Sequence, residues 1–304
     1  MEKLKLDYSV HTIEDTLLLP AETRLSAETL GVLIDSNRGT AYETCPLLSY
    51  GTVKIKILHL INKPPYNVIF SDEKMIAEVM AMMETACLPV PVLQSLDYFK
   101  EHDYHTYCHS LMVFVLSTLL SKELMPDKRD WIKETTAGPT HDIGKSCVPL
   151  KVLKKATPLT RRERSMLDHH TAAGYVLLTY FHKDPKNLAA VVARDHHERN
   201  DGSGKPRGIH LGDRMVEIIV ACDVYDALIS PRPYRPVSYD NRTALEEITR
   251  MAEKKQIGWE VARALVSFNR KKRPRYHETD VSLEKRGMPP ERNFYGVIAD
   301  EHEE

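Results

Sequence analysis

Apolar residues recur at i, i+3 and i+4 over most of the chain, and the texture of that pattern changes near residue 95. Downstream, YFKEHDYHTYCHSLMVFVLSTLLSKEL, DKRDWIKETTAG, TRRERSMLDHHTAAGYVLLTYF, NLAAVVARDHH, RMVEIIVACDVYDALI and NRTALEEITRMAEK all carry helical spacing. IGWEVARALVSFNR predicts a last helix over 257–270. Upstream, LSAETLGVLIDSN predicts a helix with Ser26 as N-cap and Glu28 in the first turn, where its charge suits the helix dipole. YGTVKIKILHLI (50–61) alternates with period two and is rich in Val and Ile, so it predicts a strand, which Asn62-Lys63-Pro64-Pro65 stops. FSDEKMIAEVMAMMETA (70–86) returns to helical spacing behind Ser71. Residues 1–95 therefore read as a small α+β module and 96–270 as a helical domain, with Pro89-Val90-Pro91 as a short hinge between them. The proline-broken polar stretch 271–304 reads as an extended or loosely docked tail.

Composition narrows the class. A chain of 304 residues with 42% hydrophobic and 28% charged residues is an ordinary globular composition. With 42 basic and 43 acidic residues, no global field steers it toward DNA or a membrane, so any anion site must be local. Its five cysteines (Cys45, Cys87, Cys108, Cys147, Cys222) never form a CxxC pair, which points to reduced thiols and a cytoplasmic setting. MEKLKLDYSV carries no apolar signal core. LMVFVLSTLL (111–120) is half the ~20 residues a membrane span requires, and reads as a buried helix.

Histidine is where the composition is unusual: of fourteen, ten fall between His102 and His210. Adjacent His141 and Asp142 can chelate one cation, and a carboxylate has a second oxygen with which to bridge to another. His109 projects from an upstream helix. Asp223 sits in an otherwise apolar helix, where a bare carboxylate is costly without a cation or hydrogen bonds. Together these four offer the mixed N/O donors that first-row divalent metals accept. His170 with His196 and His197 supplies three more imidazoles, and Asp142 can reach across as the bridge. Two metals ~3.5–4 Å apart can hold a bridging hydroxide and stabilise the leaving oxygen of an in-line phosphate displacement.

In that order and spacing, HDIGK, HH-E, DGSG-P and DxxDAL followed by RPYR resemble the HD-GYP subgroup of HD-domain metal-dependent phosphohydrolases. The resemblance runs from about residue 100 to about 270. It implies a mainly α, HD-domain helical bundle, here preceded by the small α+β module. It also implies two or three metals, often iron or manganese, and hydrolysis of the bacterial messenger cyclic di-GMP. His109, His141, Asp142, His170, His196, His197 and Asp223 fall on the family's ligand positions. Lys145 falls on the lysine that contacts the scissile phosphate. Arg232 and Arg235 fall on the basic residues that hold the substrate's phosphates. Lysine can neutralise charge developing on a phosphoryl oxygen, and arginine can fork onto a phosphate.

Two positions depart from the pattern. Gly204-Lys205-Pro206 stands where the subgroup has Gly-Tyr-Pro, exchanging a stacking ring for a flexible charge that could itself meet a phosphate. His105 stands where members with a third metal carry Glu, so two ions per chain are expected, with iron first and manganese or another first-row metal next. His105 itself reads equally well as a supporting or an exposed residue. Glu198 reads as orienting an imidazole or capping the turn, and Asp226 as bonding an arginine or the main chain. The leading reading is a cyclic di-GMP phosphodiesterase. The alternatives are a weakly active cyclic dinucleotide receptor, with loop 201–207 meeting signalling partners, and more remotely an HD-type nucleotide phosphohydrolase.

Overall fold

A helix that is apolar on every face can only be stable inside the protein. This is the position of α5 (Tyr104–Leu124): from Thr106 to Ser121 every residue but Cys108 is buried. The computed structural model describes residues 4–125, 135–291, 293–294 and 296–299. Among them are twelve α-helices and two small two-stranded antiparallel sheets.

The N-terminal part begins with β1 (Val10–His11) and β2 (Leu17–Leu19), paired to each other. Then comes α1 (Ala27–Ser36), where Ser26 accepts from the Thr29 amide as the sequence predicts. The second sheet pairs β3 (Thr44–Pro46) with β4 (Cys87–Pro89) and encloses α2 (Val53–Ile61) and α3 (Glu73–Met83). The strand predicted over 50–61 is therefore a helix. Val53, Ile57 and Ile61 are spaced by four, and all three are buried on the face turned to α5, while Ile55 is left exposed. A helix satisfies its own main-chain donors, whereas a lone strand there has no partner. The N-cap of α3 is Asp72 rather than Ser71. Pro89-Val90-Pro91 is no hinge: Pro89 ends β4 and Val90 opens α4 (Val90–His102), with Pro89 and Val92 buried.

The long segment predicted as one helix across 98–124 breaks at Asp103, whose carboxylate takes the Thr106 amide and hydroxyl and so caps α5. The helix predicted over DKRDWIKETTAG falls largely outside the described residues; its described end, Thr135–Thr140, is a 3-10 turn. After a second such turn, Ile143–Cys147, come α6 (Leu150–Leu153), α7 (Arg161–Asp168), α8 (His170–His182) and α9 (Leu188–Asp195). Then follow α10 (Arg214–Ile229), α11 (Asn241–Glu253) and α12 (Trp259–Phe268). DHH breaks at His169, separating α7 from α8. α5 packs against α10, α4 and the 135–140 turn, while α8 packs against α9 and the 143–147 turn. One apolar cluster extends from Leu4 to Leu265, across the N-terminal and helical parts alike. The tail carries no long element, but Thr279 is buried, and Glu246 on α11 accepts the Arg286 and Gly287 amides.

Candidate metal centre

The HDIGK turn meets α8 so closely that side chains are excluded. A Cβ on Gly144 would lie 1.9 Å from the His170 carbonyl oxygen and 2.4 Å from the Gly174 nitrogen. With glycine at both 144 and 174, the two backbones touch, and His141-Asp142 are delivered beside His170. His109 arrives from α5, Asp223 from α10, and His196-His197 from the end of α9.

Two donor groups result: His109, His141 and Asp223, and His170, His196 and His197, the ligand atoms within each lying inside 4.8 Å of one another. Asp142, 2% exposed, stands between them. Its Oδ2 is 3.6 Å from His109 Nε2 and 3.3 Å from His141 Nε2. Its Oδ1 is 3.4 Å from His170 Nε2 and 3.8 Å from His196 Nε2. The structure thus brings all seven predicted ligand residues together.

The tautomers follow from the partners. His109 Nδ1 lies 2.6 Å from Asp226 Oδ2, His141 Nδ1 2.8 Å from Gly138 O, and His170 Nδ1 2.5 Å from Leu167 O. His196 Nδ1 lies 3.0 Å from Ala193 O. These oxygens only accept, so each Nδ1 must donate, which leaves Nε2 of a neutral ring as a bare lone pair. Yet the Nε2 atoms of His141 and His109 are 3.3 Å apart, and those of His170 and His196 3.2 Å. Lone pairs facing each other across such gaps, with three buried carboxylates nearby, repel unless a cation lies between them. The donor set therefore fits two divalent metal ions.

Electrostatics divides the two groups. Burial pushes His170 down to about 4 and His196 down to about 3, and holds His197 well below its usual value, so these rings are neutral near pH 7. Burial also opposes charge on His141, but Asp142 and Asp223 outweigh it and raise its pKa. Burial works against the ionised form of Asp142 too, yet Lys145 and the imidazoles hold it well below the usual carboxylate range. Asp223 is likewise depressed, by His109 against the cost of burial.

The centre lies at the wall of a cavity of about 390 Å³, and Lys145 and Arg232 line it as well. Lys145 Nζ sits 2.6 Å from Asp142 Oδ2. It belongs to a 3-10 turn, so it pairs with Asp142 rather than sharing an α-helical face with His141. Arg232 is 7% exposed, and its Nε and one terminal nitrogen have no hydrogen-bond partner among the described residues. Arg235 donates to the carbonyls of Ala227, Leu228 and Ser230, and its guanidinium lies over the Tyr239 ring, so it ties down the end of α10. Lys205 pairs with Asp168 at 2.6 Å and is half-exposed. His105 is exposed at the cavity edge.

Glu198, fully buried, accepts the Arg207 and Ile209 amides, so it caps the turn after the histidine pair. Gly204 packs so tightly on Glu198 that a Cβ would come within 2.3 Å of its Cα. Asp226 does bond a ring, that of His109, besides facing Arg232 at 3.7 Å. Sequence reasoning missed this, although Asp223 and Asp226 share a helix face at i, i+3. It also missed the tail: Phe294, Gly296 and Val297 line the cavity, held where Phe294 N–H donates to Tyr234 O and Ala299 N–H to Leu159 O.

A model of the HD domain family matches residues 82–261. The chain is 34% identical over 165 residues to a cyclic di-GMP phosphodiesterase of Thermotoga maritima, covering 53% of this chain and 44% of that protein. It is 37% identical over 170 residues to cyclic di-GMP phosphodiesterase PA4108 of Pseudomonas aeruginosa, covering 53% and 38%. A 3'3'-cGAMP-specific phosphodiesterase of Vibrio cholerae is 36% identical over 134 residues, covering 43% and 28%. These matches span less than half the length of each curated relative. Seven candidate ligand residues on helices and turns inside the matched stretch, converging on an adjacent His-Asp pair, agree with that result: the chain belongs to the HD-domain family.

Proposed function

We propose that this chain is a phosphodiesterase that hydrolyses a cyclic dinucleotide, cyclic di-GMP first, at a centre holding two divalent metal ions. The observation that carries the reading is the division of Asp142, one oxygen facing each donor group. The relatives named above are phosphodiesterases of cyclic dinucleotides, which supports the substrate class. Two histidines with one carboxylate favour iron at the first group, and imidazole-rich donors accept manganese less readily. When bound, the ions supply Lewis acidity and a water activated for attack near neutral pH.

The chain's own groups do the rest. The Nδ1 bonds fix the rings of His109, His141, His170 and His196 so that Nε2 of each faces the centre. Arg232, buried at the cavity wall with two guanidinium nitrogens that make no hydrogen bond among the described residues, binds a phosphate of the dianionic substrate. Asp142 raises the pKa of Lys145 against the cost of burial, so the lysine is a cation at neutral pH, placed to balance charge on a phosphoryl oxygen. Arg235 serves by shaping the loop that carries Arg232. Incubating iron- or manganese-loaded protein with cyclic di-GMP is expected to yield linear dinucleotide or GMP on chromatography. Retained binding with no product, even at high protein concentration, would transfer the case to a receptor.

A further inference from the structure

Asp226 is fully buried and bonded on both oxygens, and one of its partners comes from far outside the family-matched stretch. Its Oδ2 accepts from His109 Nδ1 at 2.6 Å and from the Ser230 hydroxyl at 3.3 Å. Its Oδ1 accepts from the hydroxyl of Tyr66, which also meets Ser230 Oγ at 2.8 Å. Tyr66 is 6% exposed and opens the short 3-10 turn Tyr66–Val68 in the N-terminal part. Arg273, from beyond α12, donates to Ile69 O at 2.6 Å and Ser71 Oγ at 2.7 Å, clamping that turn from the other side.

We propose that Tyr66, acting through Asp226, is a positioning residue for His109, so that the N-terminal part sets the quality of one metal group and not the other. The proposal rests on the metal reading above. A carboxylate that holds a ligand imidazole fixes the ring's tautomer and raises its basicity. Asp226 can do this for His109 only while its remaining lone pairs are engaged; otherwise it is free to turn toward Arg232, 3.7 Å away. Tyr66 and Ser230 engage them. Burial and the neighbouring Asp226 carboxylate keep the Tyr66 phenol protonated, hence a donor. The second group has no such dependence, because His170 and His196 are held by main-chain oxygens of their own or adjacent turns.

Titration of metal-free protein with cobalt(II), followed by d–d absorption and competition with a chromophoric chelator, tests this. In native protein two equivalents are expected to bind. In Tyr66→Phe one affinity is expected to weaken by about 10–100-fold, with a shift in that ion's d–d bands, while the other stays within about twofold. Asp226→Asn, which keeps the shape and removes the charge, is expected to weaken the same equivalent. Thermal unfolding of the metal-free proteins monitors the fold, and Asp226→Asn carries the test alone if Tyr66→Phe fails to fold. Unchanged affinities and spectra in a folded Tyr66→Phe would overturn the proposal, as would an unchanged Asp226→Asn or an equal loss at both sites, which marks a general structural role. Native protein that binds no cobalt would overturn the metal reading and this inference together.

Discussion

The two donor groups differ in how their imidazoles are held. In the second, His170, His196 and His197, the orienting oxygens come from Leu167 and Ala193, each three residues before the ring it holds. In the first, His141 is held the same way by Gly138, but His109 depends on Asp226, 117 residues away. The first also has Asp223 beside its share of Asp142, whereas the second has only imidazoles beside its share. The protein thus places a more anionic donor group, remotely supported at one ring, next to a neutral one whose supports are local, with one carboxylate between them. Ions of equal charge are therefore expected to be held unequally.

The largest expected effect comes from removing the joint. Asp142→Ala should lower cyclic dinucleotide hydrolysis on the order of 10³-fold or more and reduce bound metal at both groups, read by turnover and elemental analysis. Retention of both ions in that variant would break the comparison at its root. Next, His141→Ala and His196→Ala should each cost about one equivalent of metal and leave the other group loaded; if either change empties both groups, the two are not separable sites. Lys145→Ala should slow turnover about 10²-fold with metal content unchanged, because Lys145 supports the charge on Asp142 and on the phosphate but ligates nothing. The smallest effect is expected from Lys205→Ala. Its exposed pair with Asp168 is worth at most about 1 kcal/mol, so affinity for cyclic di-GMP measured by calorimetry should change less than about fivefold.

Much of this was legible in the sequence for a physical reason. Metal-ligating side chains are of a few types, and HDIGK, DHHTAAG and RDHHE cluster them at turns or helix ends and so announce themselves, while Gly144 and Gly174 fix how two of those segments touch. The helices α5 and α7 to α12 were visible because their apolar spacing repeats, even where a cap such as Asp103 cut one prediction in two, whereas α6, a single turn, carries no repeat. Period alone failed at 50–61, since Val53, Ile57 and Ile61 fit a helix as well as the alternation fits a strand, and only packing against α5 decides. Tyr66 was out of reach because a tyrosine after two prolines carries no local sign of a carboxylate 160 residues later. Arg232 and Arg235 look alike in RPYR and both line the cavity, and only the folded loop shows that Arg235 is also tied to the carbonyls of Ala227, Leu228 and Ser230.

The cavity wall formed by Phe294, Gly296 and Val297 bears on the order of assembly. During synthesis, every ligand residue and both ends of the Tyr66–Asp226 contact emerge before these three positions do. The residues proposed to hold the ions are therefore all available while the chamber still lacks one side, and the segment through Phe294 and Val297 can narrow the opening over them only afterwards.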